Sequence, residues 1–411
     1  MRTIAVTIAF LLSFSPFALA AKRHSKKAGV SHPRSRAARS KKTVTPGRRS
    51  AEANRPARVR KVSFTESETP ITSRMRRHRR EIVSPWKSPT FAESSVGDIT
   101  DGEDMLVRKA AVQALGPYNG SVVVTDPLTG RILSMVNQKL ALGAGYEPCS
   151  TIKVVASLAA LSEGLIDGDR GVRVSRRHMD VTNALAFSNN YYFSNIGNKL
   201  GFEKVTEYAR LFGLGEKAGL NIPGEQVSPL PTQPPDDGVG MMTSFGEGFY
   251  VTPLQLSAIF TAVANGGTLY YLQYPLSQKE ADSLQPRVKR HLDIEKDLPA
   301  IRPGMQGAVE FGTAQRAQFD PDQPIFGKTG TCTDNRSPTH LGWFGSYQEV
   351  NGRKVVVVVL LTGGRAVNGP IASGIAGAVY RNLIDGGYYS QPKQLASPAS
   401  LVSASNTTYA Q

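Results

Sequence analysis

Apolar and polar positions follow two periods along this chain, and the changes of period mark its elements. In "DITDGEDMLVRKAAVQALG", residues 98–116, apolar residues recur every three or four positions, which predicts an amphipathic helix ended by Gly116. "SVVVTD" and "RILSMVN" are short apolar runs rich in β-branched residues. The "PLTG" between them brings turn chemistry at Gly130, so the pair predicts two strands joined by a turn. Helical periods fill much of the middle, and "PLQLSAIFTAVANGG" stops at Gly266 and Gly267. "PIFGKTGT", "HLGWFGSY" and "KVVVVVLL" predict three late strands, and "GIAGAVYRNLIDGG" a closing helix. This order predicts an α/β domain with one antiparallel sheet flanked by helices.

The pattern lapses at both ends. "MRTIAVTIAFLLSFSPFALAAKR" has a basic start, an apolar run and a small-x-small site at Ala18-Leu19-Ala20, the form of a signal peptide over residues 1–20 cut before Ala21. An uncleaved membrane anchor is the alternative. Residues 21–95 are rich in Lys, Arg, Pro and Ser and poor in large apolar residues, which predicts a disordered basic segment. Residues 390–411 read as a second loose tail, leaving one patterned domain over residues 96–389.

Charge sharpens this division. The 411-residue chain carries a net +16, yet residues 21–90 alone hold 21 Lys and Arg against 4 Glu, or +17. The patterned domain is therefore close to neutral. The basic segment suits an anionic surface, such as wall polymers or lipid headgroups, or a soluble spacer; nucleic acid is not expected after export. No cofactor or metal is expected, since the sequence holds no Cys/His ligand cluster and no phosphate loop.

Candidate chemistry sits in three strings. Ser150-Thr151-Ile152-Lys153 stands at a predicted helix start after Pro148, so residues three apart share a face and Lys153 can reach the Ser150 hydroxyl. A lysine in a first turn meets the positive end of the helix dipole, which disfavours its ammonium form and makes it a base for the serine. The spacing alone is weak: Ser84-Pro85-Trp86-Lys87 matches it too, but within the basic segment and with a proline inside the turn. The first copy has companions in order, Ser188-Asn189-Asn190 and Lys328-Thr329-Gly330-Thr331.

With these three motifs, and with "TDPLTGRILSMVN", "LFGLGEKAGLNIPGE", "SFGEGFYVTPLQLSAIFTAVANGG" and "VEFGTA", the chain resembles the transpeptidase domain of penicillin-binding proteins from about Gly120 to Gly387. The resemblance implies a sheet lobe packed on an all-helical lobe with the site in the cleft between them. It implies a D,D-transpeptidase or carboxypeptidase that acts on peptidoglycan stem peptides outside the cytoplasm and takes β-lactams as covalent inhibitors. Ser150 would be the nucleophile, Lys153 its base and Ser188 a proton relay. Asn190 would bind the substrate amide, and Lys328, Thr329 and Thr331 its terminal carboxylate. Gly330 would let the substrate approach the strand, and the N–H groups of Ser150 and Thr331 would form the oxyanion hole. His340 reads as a strand residue. The chain departs from the family at Cys149, where glycine is usual, at Ile152 for phenylalanine and at Glu247 for glutamine.

The resemblance also bears on the two cysteines. Cys149 precedes the nucleophile and Cys332 follows the Lys328 motif, each beside one expected oxyanion-hole residue. Carbapenem-hydrolysing class A β-lactamases, on a related scaffold, bridge cysteines at similar positions, and export favours oxidation. A Cys149–Cys332 disulfide is expected; two buried thiols are the alternative. Other functions remain open at this point. A β-lactamase of class A would carry a Glu-x-x-Leu-Asn string between the second and third motifs, which is missing here. A non-catalytic β-lactam sensor or wall-binding module would be expected to have lost a motif residue, and none is lost.

Overall fold

The structure, a computed structural model, describes residues 85–167, 172–174 and 177–390. The expected signal peptide, most of the basic segment with Ser84, and the tail from residue 391 lie outside the described residues. The first elements are α1 (Met105–Leu115), β1 (Gly120–Thr125), β2 (Ile132–Val136) and α2 (Gln138–Leu142). A 3-10 turn, Cys149–Ile152, leads into α3 (Lys153–Ser162), then β3 (Val172–Val174), β4 (Arg177–Met179) and α4 (Val181–Ala186). Next come α5 (Asn190–Leu211), α6 (Val239–Ser244), α7 (Pro253–Asn265), β5 (Thr268–Tyr270), α8 (Gln278–Asp282), β6 (Val288–His291) and α9 (Leu298–Glu310). The last elements are β7 (Ile325–Thr333), β8 (His340–Val350), β9 (Arg353–Gly363) and α10 (Gly369–Asp385).

Five strands form one antiparallel sheet in the order β2-β1-β9-β8-β7. Central β9 explains its own unbroken apolar run, because a strand covered on both faces has no solvent side. Val356, Val358 and Leu360 join the core shared with α3 and α5, while Val355, Val357, Val359 and Leu361 join the core under α1 and α10. α7 is held at its start by a reciprocal cap: Thr252 Oγ1 accepts from Gln255 N, and Gln255 Oε1 accepts from Thr252 N. The helical lobe gathers α3, α4, α5 and α9 around residues such as Leu158, Leu185, Phe193 and Met305. β7 forms the outer edge of the sheet, next to the Cys149–Ile152 turn. The cleft opens there.

Four boundaries differ from the sequence reading, each for a local reason. α1 starts at Met105 and not near residue 98, because Asp104 caps it by accepting from Leu106 N and Val107 N. Asp98 is used elsewhere: its carboxylate accepts from Asn137 N and Gln138 N and pairs with Arg108 at 2.7 Å. The helical lobe is not wholly helical, since β3 and β4 pair as a three-residue hairpin. α10 begins five residues early, at Gly369, under the Asn368 side-chain cap on Ile371 N. Finally, residues 85–95, read as part of the disordered segment, are tied to the domain. Lys87 N donates to Pro338 O, Ala92 N to Pro117 O, and Gly364 N to Thr90 Oγ1.

Candidate active site

Ser150 lies in the 3-10 turn, where residues i and i+3 align, and α3 begins with Lys153. Four contacts fix this turn. Trp343, fully buried on β8, donates its Nε1 to Glu147 O at 2.8 Å. Thr151 Oγ1 donates to Pro148 O at 2.6 Å. A Cβ on Gly330 would stand 3.0 Å from Pro148 O and 3.2 Å from Cys149 Cβ. The fourth is covalent: Cys149 and Cys332 form a disulfide across a Cα–Cα distance of 5.6 Å. Gly330 thus gives the Ser150 turn room to approach β7. Cys149 holds φ at 48°, in the left-handed region that favours glycine. That backbone accounts for a glycine being usual at this position.

The motif residues converge. Lys153 is fully buried, and its Nζ lies 2.8 Å from Ser188 O, 3.0 Å from Ser188 Oγ and 2.6 Å from Asn190 Oδ1. Ser188 is presented from a turn between α4 and α5 with φ at 53°, a strained conformation of the sort found at functional sites. The Ser150 hydroxyl donates to Ser244 O at 3.4 Å, near the long limit for such a bond, and does not hydrogen-bond Lys153 in this resting arrangement. On β7, Lys328 is fully buried and donates to Thr329 O at 3.0 Å. Thr329 Oγ1 meets Thr313 Oγ1 at 2.6 Å, and Thr331 Oγ1 accepts from Gly369 N at 2.8 Å. His340 opens β8 with its Nδ1 3.0 Å from Thr333 Oγ1, beyond Cys332 on the strand. Of the rival copy, Trp86 packs against Gly364 and His340.

Burial sets the charges. Removal from water pushes the Lys153 ammonium well below the usual lysine range, and the nearby Lys328 adds to this. Burial is the larger of these two causes. Lys328 is itself brought down to about 7 by burial. The roles that the resemblance implies would need Lys153 neutral and Lys328 charged for acylation by an anionic penicillin. The acylation rate is therefore expected to rise with pH as Lys153 loses its proton, then fall above about 7 as free Lys328 loses its own. Stopped-flow acylation rates across the neutral range check this, and a rate still climbing well above pH 7 would count against it.

Three residues of the site escaped the sequence reading. Ser244 and Thr313 lie within "SFGEGFY" and the end of "VEFGTA", strings noticed without a role for either residue. Glu147 carried no signal beyond its place before Cys149.

Comparison with known proteins agrees with this geometry. The family model described as the penicillin binding protein transpeptidase domain matches residues 120–385. The chain is 27% identical over 312 residues to stage V sporulation protein D of Bacillus subtilis, covering 66% of this chain and 48% of that protein. It is 22% identical over 352 residues to the peptidoglycan D,D-transpeptidase MrdA of Haemophilus influenzae, covering 66% and 54% respectively. This chain therefore spans about half the length of these relatives. Penicillin-binding protein A of Mycobacterium tuberculosis, solved as a ceftriaxone acyl-enzyme complex, superposes with a TM-score of 0.58 at 21% identity. The match covers 68% of this chain and 78% of that one, and it bears on the fold alone.

Proposed function

The chain belongs to the penicillin-binding protein transpeptidase family, and from that premise we propose that it is a serine D,D-transpeptidase of cell wall biogenesis that acts on peptidoglycan stem peptides. The observation that carries the reading is the buried, charge-depressed Lys153 between Ser188 and Asn190, one turn from Ser150. As a neutral amine, Lys153 shares its two N–H bonds among Ser188 O, Ser188 Oγ and Asn190 Oδ1 and keeps a lone pair to take a proton. In the acylation step the Ser150 hydroxyl leaves its weak bond to Ser244 O and gives its proton to Lys153. Its oxygen bonds to the carbonyl carbon of the penultimate D-alanine. The N–H groups of Ser150 and Thr331 receive the oxyanion, worth roughly 3–4 kcal/mol per donor in comparable hydrolases. The carbon–nitrogen bond then breaks, and the leaving D-alanine amine takes the proton by way of Ser188. An acceptor amine repeats the sequence in reverse to form the cross-link; water in its place gives carboxypeptidase trimming. Asn190 Nδ2 remains for the substrate amide, and Lys328, Thr329 and Thr331 for the terminal carboxylate.

Fluorescent penicillin tests this reading directly. Stable one-to-one label on Ser150 is expected; rapid loss of label would make the protein a β-lactamase, and no label a binding module. The same chemistry requires the site to work outside the cytoplasm. Among the described residues no helix is long and apolar enough to cross a membrane. The basic segment, on this reading, holds the enzyme to an anionic wall or membrane surface. Deleting residues 21–84 is expected to leave penicillin labelling intact and to abolish salt-sensitive retention on isolated walls. Retention that survives the deletion would assign the holding to another surface.

A further inference from the structure

A second cluster of charge adjoins the nucleophile's turn and takes no part in the steps above. Glu147, three residues before Ser150, is only 4% exposed, and its Oε1 has no hydrogen-bond partner. Its Oε2 lies 4.0 Å from Cys332 Sγ, so the carboxyl stands beside the strand that would bind substrate. Burial first, then the charges of Asp334 and Glu247, push this carboxyl up to about 7. Asp236 and Asp237 act on Glu247 in turn. The cation that counters Glu147 is Arg336, and it is committed elsewhere: it stacks 3.6 Å over the Tyr250 ring, donates to Gly145 O and lies 3.7 Å from Asp334. A buried carboxylate oxygen with no partner, among further carboxylates, is a place made for a cation.

The strand says which cation could arrive. On the reading proposed above, the stem's terminal carboxylate lies at Lys328 and Thr329 and the scissile carbonyl at Ser150 and Thr331. β7 is the sheet edge, so a peptide can add to it as an antiparallel strand. Its upstream residues then pass Cys332 and Thr333 toward Asp334, at about 3.3 Å per residue. The side chain just before the acylated D-alanine comes to the Glu147 cluster. We propose that Glu147, Asp334 and Glu247 form a subsite for a cationic amine on that residue, so that the donor stem is one whose diamino acid carries a free amino group. Asp236 and Asp237, exposed at the rim, add attraction from solvent. A bound ammonium would give Oε1 its missing partner and return the carboxyl to its ionised form.

Two synthetic donors ending in Lys-D-Ala-D-Ala, one with a free side-chain amine and one Nε-acetylated, test the subsite through D-alanine release. The wild-type enzyme is expected to favour the free amine about tenfold in kcat/KM, as one charge-assisted hydrogen bond would give. Glu147→Gln and Glu247→Gln should each reduce that preference to about twofold or less. Glu147→Gln keeps the shape of a buried side chain; should it not fold, the more exposed Glu247→Gln carries the test. A wild-type enzyme indifferent to acetylation, or a preference that both variants keep, would overturn the subsite. Penicillin labelling of the same samples separates the two readings. Labelled protein without the amine preference sinks the subsite alone, whereas unlabelled wild-type protein sinks the transpeptidase reading and the subsite with it.

Discussion

Lys153→Met protein is expected to fold and to take up fluorescent penicillin at least a thousandfold more slowly than the wild type. Methionine fills nearly the same buried volume, since Lys153 is fully enclosed beside the Phe193 ring, so the packing of α3 on α5 should persist. What disappears is the amine proposed as the base for Ser150, whose charged form burial disfavours, and a positioned base contributes about 10²–10⁴-fold. Asn190 Oδ1 and Ser188 O would lose their donor at the same time, which adds a misplaced Ser188 to the missing base. Ser150→Ala should abolish labelling outright and serves as the floor of the assay. If Lys153→Met labelled at a tenth of the wild-type rate, proton removal would have to be reassigned to another group.

The second large effect concerns the disulfide. Its two half-cystines lie 183 residues apart, and closing so long a loop limits the unfolded chain by up to about 5 kcal/mol in the entropy model. The Cys149→Ser, Cys332→Ser double variant should therefore melt many degrees lower and acylate roughly tenfold to a hundredfold more slowly. The rate loss follows from position: the bridge joins the neighbours of the two proposed oxyanion-hole residues, and a donor displaced there is costly. The left-handed backbone at Cys149 separates the two contributions. Serine must pay for φ at 48° without the bridge that enforces it, whereas glycine adopts it freely. Cys149→Gly with Cys332→Ser should thus recover most of the acylation rate while remaining less stable than the bridged protein. Equal rates for the serine and glycine pairs would show that the bridge does not hold the turn's conformation.

Much of this was legible because it is local. Ser150 and Lys153 share one turn, Lys328 through Thr331 share one strand, and the cysteines adjoin both, so short strings located them. The sheet was legible because β9 holds a long unbroken run of β-branched and apolar residues. Residues that reach the site only through tertiary contact were not. Ser244 holds the Ser150 hydroxyl from 94 residues away, and Thr313 meets Thr329 from a loop after α9. Glu147 looks like any loop acid until Trp343 holds its backbone carbonyl and Cys332 comes beside its carboxyl. The start of α1 was misjudged for a related reason. Residues 98–104 continue a helical pattern, but Asp98 serves β2 and α2 across space, and no periodicity encodes that.

The pairing of β1 with β9 also governs when this protein can exist as a folded object. Val122 lies opposite Val359, so the middle of the sheet joins one end of the domain to the other. A contact of such range cannot form while the later strands are still being synthesised, and searching for it is slow. The emerging chain therefore lacks its central strand until nearly the last residue of the domain has appeared. On the proposed export route, this delay would keep the chain threadable through a translocation channel, with the bridge between Cys149 and Cys332 closing only after arrival. A chain ending at Val350 is accordingly expected to show no slowly exchanging amides in β1, measurable by hydrogen exchange; protection there would mean that β1 and β2 can order on α1 before β9 exists.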